Sequence, residues 1–340
     1  MKSFSYEHAT ATEGAIHAGA ARGAKFLAGG TNLVDLMKYG VESPATLVDI
    51  NRLDLNAIVA EPEGGVKIGA LVKNSDLANH SLIKNQYPLL SQALLSGASP
   101  QLHNMATTGG NLLQRTRCYY FTDISFPACN KRQPGSGCAA LKGYNRIHAI
   151  LGQTDKGATS GETCIATNPS DMNVAMAALG ARIEVEGVKS KRTIPFAEFH
   201  RLPGSTPWLD TTLKPDELIV AVTLPPARFS RNAYYLKIRD RNSYAFALIS
   251  VAAGLELDGG LIKSAGLALG GVALKPWREA EAEKALIGKP GPEAFQRAAE
   301  ILLRDAKGYE HNQFKIEMAK QGVVRALTLA SQGTTEGIQA

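Results

Sequence analysis

All four cysteines of this 340-residue chain, Cys118, Cys129, Cys138 and Cys164, fall within one stretch. Around them, Arg115 to Glu162 forms a long polar connection broken by Pro127, Pro134, Gly135 and Gly137, without the apolar periodicity that builds a core. A structureless connection of that length needs a functional cause. Ligation through the cysteines would supply one, because a metal-type centre orders a segment lacking its own core. A disulfide framework suits small secreted domains. This chain is large and 44% hydrophobic, and its opening MKSFSYEHATATEGA has no continuous apolar run, so no export signal and no disulfide scaffold are expected.

Two or three folded units are expected from the length. Phe4 to Tyr6 reads as a strand, Thr12 as an N-cap before a helix over Glu13 to Ala21, and Phe26 to Ala28 as a buried strand. A glycine turn then leads into the helix-spaced LVDLMKYG, and Thr46 to Ile50 closes a small α/β lobe. Strands are expected at Val66 to Val72, Arg182 to Glu186 and within ELIVAVTLPP. Helices are expected from Pro88 to Ser96, with Pro at the first position and Gly97 beyond the end, and from the Asn168-Pro169-Ser170-Asp171 opening through Leu179. Beyond Pro225, AYYLKIRDRNSYAFALISVAAGLEL and AGLALGGVALKPW read as strands, and Phe295, Ala298, Ala299 and Leu302 share one helical face.

Some function classes are disfavoured at once. A formal charge of +6 suggests nucleic acid, but the basic residues are mixed with acids and lack interleaved aromatics. No apolar run approaches the length of a membrane span. No Ser/His/Asp or Cys/His signature and no paired carboxylates stand out for nucleophilic or acid-base work.

Two turns carry the ligand chemistry. In Lys25-Phe26-Leu27-Ala28-Gly29-Gly30-Thr31-Asn32-Leu33 the paired glycines allow close backbone approach and positive φ, presenting N–H donors to a diphosphate, with Thr31 and Asn32 adding side-chain donors. The spacing is neither that of a P-loop nor that of a GxGxxG dinucleotide fingerprint. A second turn, Ala106-Thr107-Thr108-Gly109-Gly110-Asn111, would let the pair clamp one diphosphate from both sides; two unrelated tight turns are the plain alternative.

KFLAGGTNLVDLMK, ATTGGNLLQ and NPSDMNVAMAALGA, with LKIRDRNSYAFALISVAA and ALGGVALKPWR further on, resemble the FAD-binding subunits of the xanthine dehydrogenase and carbon monoxide dehydrogenase group over almost the whole chain. The resemblance implies an α+β fold: a vanillyl-alcohol-oxidase-type FAD-binding domain of two α/β subdomains, residues 1–55 and 56–225, the second carrying a Cys-rich insertion at 115–165. A carbon monoxide dehydrogenase flavoprotein C-terminal-like α+β domain would follow at 226–332. It also implies that Lys25 to Leu33 wrap the FAD diphosphate and Thr107 to Asn111 complete the clamp. Asp171 would bind the adenosine end, Leu218 and Ile219 would sit near the ring system, and Lys237 would lie near the isoalloxazine. Taken alone, Asp171 also reads as a first-turn acid complementing a helix dipole and Lys237 as a solvated strand residue. His103 stands where relatives often carry Arg and reads as structural.

TRCYYF, CNKRQPGSGCAAL and CIATNPSD narrow the resemblance to the flavin subunits of periplasmic-type aldehyde oxidoreductases, which carry a 4Fe-4S cluster. Four thiolates supply one ligand per iron. Zinc also accepts four cysteines, but usually in close pairs, whereas these are separated by ten, eight and twenty-five residues. Arg115, Arg117, Lys131, Arg132, Lys142 and Arg146 crowd the segment, as a solvated face, as an offset to cluster charge or as a dock for an acidic electron acceptor. The resemblance implies an electron-transfer subunit of a heterotrimer with a small 2Fe-2S partner and a large molybdopterin-binding partner that oxidises the aldehyde, handing electrons through FAD to an external acceptor. Such a bacterial complex would be periplasmic by co-export with a partner, or cytoplasmic. A self-sufficient flavin oxidase or dehydrogenase, or a zinc-stabilised scaffold without redox activity, are the alternatives.

Overall fold

The computed structural model describes residues 1–153 and 163–334. Its first unit is a parallel sheet in the order β1-β3-β2, from β1 (Ser5–His8), β2 (Ala24–Leu27) and β3 (Thr46–Asp49). Parallel neighbours need crossovers, supplied by the helices Thr12–Gly19 and Leu33–Lys38. The carboxyl ends of all three strands, at His8, Leu27 and Asp49, lie side by side, the edge at which open α/β sheets bind ligands. Two local expectations are corrected here. Thr12 is the first helical residue, with Ala11 before it and no side-chain cap. The strand β2 is half-exposed rather than buried, because it lies at the sheet edge; Phe26 covers Gly19 so closely that a Cβ there would meet its ring at 2.2 Å.

The second sheet is antiparallel, β4-β5-β8-β6-β7, built from β4 (Ile58–Ala60), β5 (Val66–Gly69), β6 (Arg182–Glu186), β7 (Lys191–Pro195) and β8 (Leu218–Leu224). The helices Asn74–Asn79, Pro88–Ser96 and Asp171–Leu179 help to close its core, in which Ile68, Leu77, Leu89, Val174, Ile183 and Val222 are buried. Local chemistry sets the helix ends. Pro88 occupies the first turn of one, while Ser170 caps another by accepting the Asn173 N–H at 3.1 Å, and Gly180 ends that helix at φ 70°.

The third sheet, β11-β10-β9, comprises β9 (Ala233–Ile238), β10 (Ile249–Asp258) and β11 (Leu261–Gly270). Its two faces have different partners. Ala233, Tyr235, Ala252 and Ala268 join the core of the second unit, whereas Val251, Ala253, Leu267 and Leu269 pack with the helices Pro292–Leu303 and Phe314–Ser331. Burial on both faces makes the strands read as continuous apolar runs. Phe295, Ala298, Ala299 and Leu302 all lie buried on one helix, as their spacing predicts. The chain is thus two α/β subdomains followed by an α+β domain. The described part of the cysteine segment threads between them with a helical turn at Tyr119–Thr122, a 3-10 turn at Ala139–Leu141 and a bridge between Cys129 and Cys138. The part of the insertion at 154–162 lies outside the described residues.

Candidate functional site

At the carboxyl edge of the parallel sheet, β2 runs into Ala28-Gly29-Gly30-Thr31-Asn32. Gly30 has φ 71°, and the backbone N–H groups of Gly29, Gly30, Thr31 and Asn32 have no protein acceptor. Unpaired backbone donors converging in one turn form a concavity for an anion. The turn is held from behind: Asn51 Nδ2 donates to Ala28 O at 3.0 Å and to Asp49 Oδ1 at 2.8 Å, while Asp49 accepts the Tyr6 hydroxyl and lies 3.4 Å from His8. Burial raises the Asp49 pKa, but the Tyr6 and Asn51 hydrogen bonds outweigh it and leave the carboxyl below its ordinary value.

The second glycine turn touches the first. A Cβ on Gly29 would lie 2.0 Å from Met105 O, so only glycine allows this approach, and Lys73 Nζ donates to the same carbonyl at 3.2 Å. Most backbone donors of this second turn are committed within the protein. Thr108 N–H bonds Val72 O, Gly109 N–H bonds Ala70 O, Thr107 Oγ1 accepts Gly110 N–H, and Asn111 N–H bonds Thr107 O. Asn111 Oδ1 accepts the Ser170 hydroxyl at 2.7 Å, joining this turn to the helix Asp171–Leu179. The first turn therefore offers donors and the second braces it.

Asp171 and Lys237, expected at different ends of a cofactor, are one ion pair at 2.8 Å. Asp171 also accepts the Tyr235 hydroxyl at 2.8 Å, and Lys237 donates to Ser96 O at 3.1 Å, so the pair locks β9 to the second unit. Buried His103 lies close enough that Lys237, after burial itself, helps lower its pKa. Of the neighbours on β8, Leu218 packs in the cluster containing Phe26 and Ala28 beside the first turn, while Ile219 faces the opposite core.

The four cysteines line one cavity with His148 and Lys131. None is in a disulfide, and Cys118, Cys129 and Cys164 are buried. Among the described residues no three His, Cys, Asp or Glu side chains converge closely enough to hold a single metal ion, so the sulfurs share a cavity rather than a point. Nearby backbone N–H groups favour the thiolate forms, that of Phe121 at Cys118, those of Ala140 and Ile165 at Cys138, and that of Ala166 at Cys164. Burial nonetheless dominates, raising the Cys118 and Cys164 thiols above their ordinary value and pushing Cys138 up to about 12. His148 Nε2 lies 3.1 Å from Cys118 Sγ.

Lys131 lines this cavity, and Arg132 and Lys315 bond residues that line it. Lys131 bonds Pro207 O and Asp210; among the described residues, Arg132 bonds only the carbonyls of Tyr120, Phe121, Asp123 and Phe126, and fully buried Lys315 only those of His148 and Gly271. Burial brings the Lys315 pKa down to about 7. Arg115 links this region to the first turn. Its guanidinium pairs with Asp210 and Glu42, both at 2.7 Å, its N–H donates to Asn32 Oδ1 at 2.8 Å, and Glu42 lies 3.4 Å from Lys25. Burial would raise the Asp210 pKa, but Lys131 and Arg115 hold it below the ordinary carboxylate value. The Asn51–Asp49 brace, the Arg115–Asp210–Lys131 chain and His148 escaped sequence reasoning, since each is assembled from distant segments. The polar Asp49-Ile50-Asn51 at the end of a buried strand was the one visible signal.

Comparison with known proteins places this geometry. The FAD binding domain in molybdopterin dehydrogenase matches residues 2–227, and the CO dehydrogenase flavoprotein C-terminal domain matches residues 234–330. The chain is 50% identical over 332 residues to the aldehyde oxidoreductase FAD-binding subunit PaoB of Escherichia coli (strain K12), covering 97% of this chain and 99% of that one. It is 29% identical over 263 residues to the glyceraldehyde dehydrogenase medium chain of Sulfolobus acidocaldarius, covering 77% and 73% respectively. Among solved structures, carbon monoxide dehydrogenase from Hydrogenophaga pseudoflava aligns with a TM-score of 0.73 and 26% identity over 97% of both chains. Among the described residues no helix is long and apolar enough to cross a membrane.

Proposed function

Because the chain belongs to the FAD-binding subunit family of the xanthine dehydrogenase and carbon monoxide dehydrogenase group, we propose that it is the electron-transfer subunit of a molybdenum-dependent aldehyde oxidoreductase. In this reading it binds FAD and one 4Fe-4S cluster. A small 2Fe-2S partner delivers electrons, a large molybdopterin-binding partner oxidises the aldehyde, and an external acceptor takes the electrons away. Bound FAD exchanges electrons singly or in pairs, and a cube exchanges them one at a time. This chain's residues position both groups.

The open N–H groups of Gly29 to Asn32 suit the diphosphate, with Lys25 to Leu33 wrapping it and the turn Thr107 to Asn111 fixing the wrap from behind. Leu218, beside that turn, and the Asp171–Lys237 pair would border the flavin, with Ile219 supporting Leu218 from the core. The observation that carries the cluster reading is the charge around the cysteine cavity. Among the described residues Arg132 and Lys315 bond backbone carbonyls alone, so a negatively charged centre in the cavity would give each an anion, whereas beside neutral thiols burial favours the uncharged form of Lys315. A cube held by Cys118, Cys129, Cys138 and Cys164 carries net negative charge and supplies that anion.

The test is an anaerobic visible spectrum of purified protein, with iron and acid-labile sulfide measured on the same sample. Flavin bands with about four irons per chain are expected for four thiolate ligands. Flavin with zinc and no iron would overturn the cluster; neither flavin nor iron would overturn the whole reading.

A further inference from the structure

We infer that His148 tunes the cluster: its Nε2–H donates to the Cys118 thiolate and raises the reduction potential of the centre that the four cysteines hold. This rests on reading the cysteines as cluster ligands. His148 is an unusual neighbour for a metal-ligating sulfur, because its ring is buried and, among the described residues, makes no other side-chain hydrogen bond. Nε2 sits 3.1 Å from Cys118 Sγ, while Nδ1 is buried without any hydrogen-bond partner. A free thiol could donate to the ring, but a ligating thiolate has no proton to give. Ligation therefore selects the tautomer with hydrogen on Nε2 and a bare Nδ1, the arrangement that leaves no buried N–H unpaired.

The ring cannot turn away. His148 N–H donates to Asn145 O at 3.0 Å. Its carbonyl accepts from Asn312 Nδ2 at 3.2 Å and Lys315 Nζ at 2.8 Å, and Tyr119 and Tyr120 flank the imidazole. A hydrogen bond to sulfur strengthens as the sulfur gains negative charge. Reduction adds one electron to the cluster, so the donor stabilises the reduced form more than the oxidised form. His148 is thus a positioning residue that acts through Cys118.

The experiment compares the purified full chain with His148→Phe, which keeps a ring but no donor, and His148→Gln, which restores an N–H. Iron content and the midpoint potential of the cluster are measured by anaerobic redox titration followed by EPR. The Phe variant is expected to retain its iron and to show a reduction equilibrium about tenfold less favourable, roughly 59 mV lower for one electron, with part of the loss recovered by Gln. A Phe variant whose equilibrium changes less than twofold would overturn the role of His148 while leaving the cluster reading intact. A parent chain without iron would overturn the cluster reading, and this inference with it. Should the Phe variant lose its iron, the parent labelled with 15N-histidine decides. Pulsed EPR of its reduced cluster should show coupling to an imidazole nitrogen, and no such coupling refutes the hydrogen bond.

Discussion

Replacing Gly29 with alanine tests the division of labour between the two glycine turns. The new methyl carbon would lie 2.0 Å from Met105 O and 2.7 Å from its carbonyl carbon, both rigid backbone atoms. An unstrained contact needs about 3.5 Å, so the two turns must separate by roughly 1.5 Å. The repacking itself should cost about 1–3 kcal/mol of stability. The larger effect falls on the ligand. If the shift removes two of the N–H donors of Gly29 to Asn32 from the diphosphate, each worth about 1.5–3 kcal/mol to a charged acceptor, FAD affinity drops about 10²- to 10⁴-fold. Gly14→Ala is the control, since its Cβ meets nothing within 4 Å. The assay is titration of flavin-stripped protein with FAD, followed by flavin fluorescence, beside a thermal melt of each variant. A folded Gly29→Ala protein that binds FAD within threefold of the parent would refute the argument that this approach shapes the cradle.

Three further outcomes follow from the geometry. Asp171→Asn leaves the buried Lys237 ammonium without its counter-ion and should lower stability by about 3 kcal/mol, read by urea denaturation; a change below 0.5 kcal/mol would mean the pair is not what locks β9 to the second unit. Cys164→Ser should strip most of the iron and leave the flavin bands in place, and a variant retaining full iron would remove Cys164 from the ligand set. His200 is fully buried, with Nε2 2.9 Å from Leu112 O, and burial brings its pKa down to about 4. Because the folded pKa lies below the unfolded value of about 6.5, the unfolded chain takes up the proton first. Its contribution is complete above about pH 6.5 and is lost as pH falls toward 4, by about 3 kcal/mol in all. His200→Phe should flatten that part of the stability profile measured by urea denaturation, and an unchanged slope would refute the assignment.

Residues whose local chemistry and packing agree were legible in the sequence. The helix Pro88–Ser96 starts at its proline and ends before Gly97. The helix Asp171–Leu179 begins after the Ser170 cap, and β6 alternates as its side chains do. The helix Phe314–Ser331 was missed because its buried face is led by Lys315 and built mostly of Ala319, Gly322, Ala326 and Ala330, with only Val323 and Leu327 strongly apolar. Such small or charged residues give little apolar contrast. The positive φ and close approach at the first glycine turn were readable because glycine has little substitute there, and the convergence of the cysteines on one cavity was foreshadowed by their clustering. The second turn looked like a ligand loop because a committed N–H and a free one are written with the same letters; only tertiary pairing with Val72 and Ala70 separates them. Asp171 and Lys237 are 66 residues apart, and nothing local to either announces the other.

The anchoring of His148 from far along the chain also sets a timetable. The side chains that hold its carbonyl, Asn312 and Lys315, lie 164 and 167 residues downstream. At a ribosomal rate of about 5–20 residues per second, those residues are made roughly 8 to 33 seconds after His148 itself. Once Cys164 follows, 16 residues after His148, all four cysteines exist for the rest of that interval, but the wall carrying His148 has no clasp. A nascent chain therefore carries its thiols before the residues that clasp the wall of their cavity have been made, and the proposed cluster would be sealed in only after the helix Phe314–Ser331 is synthesised.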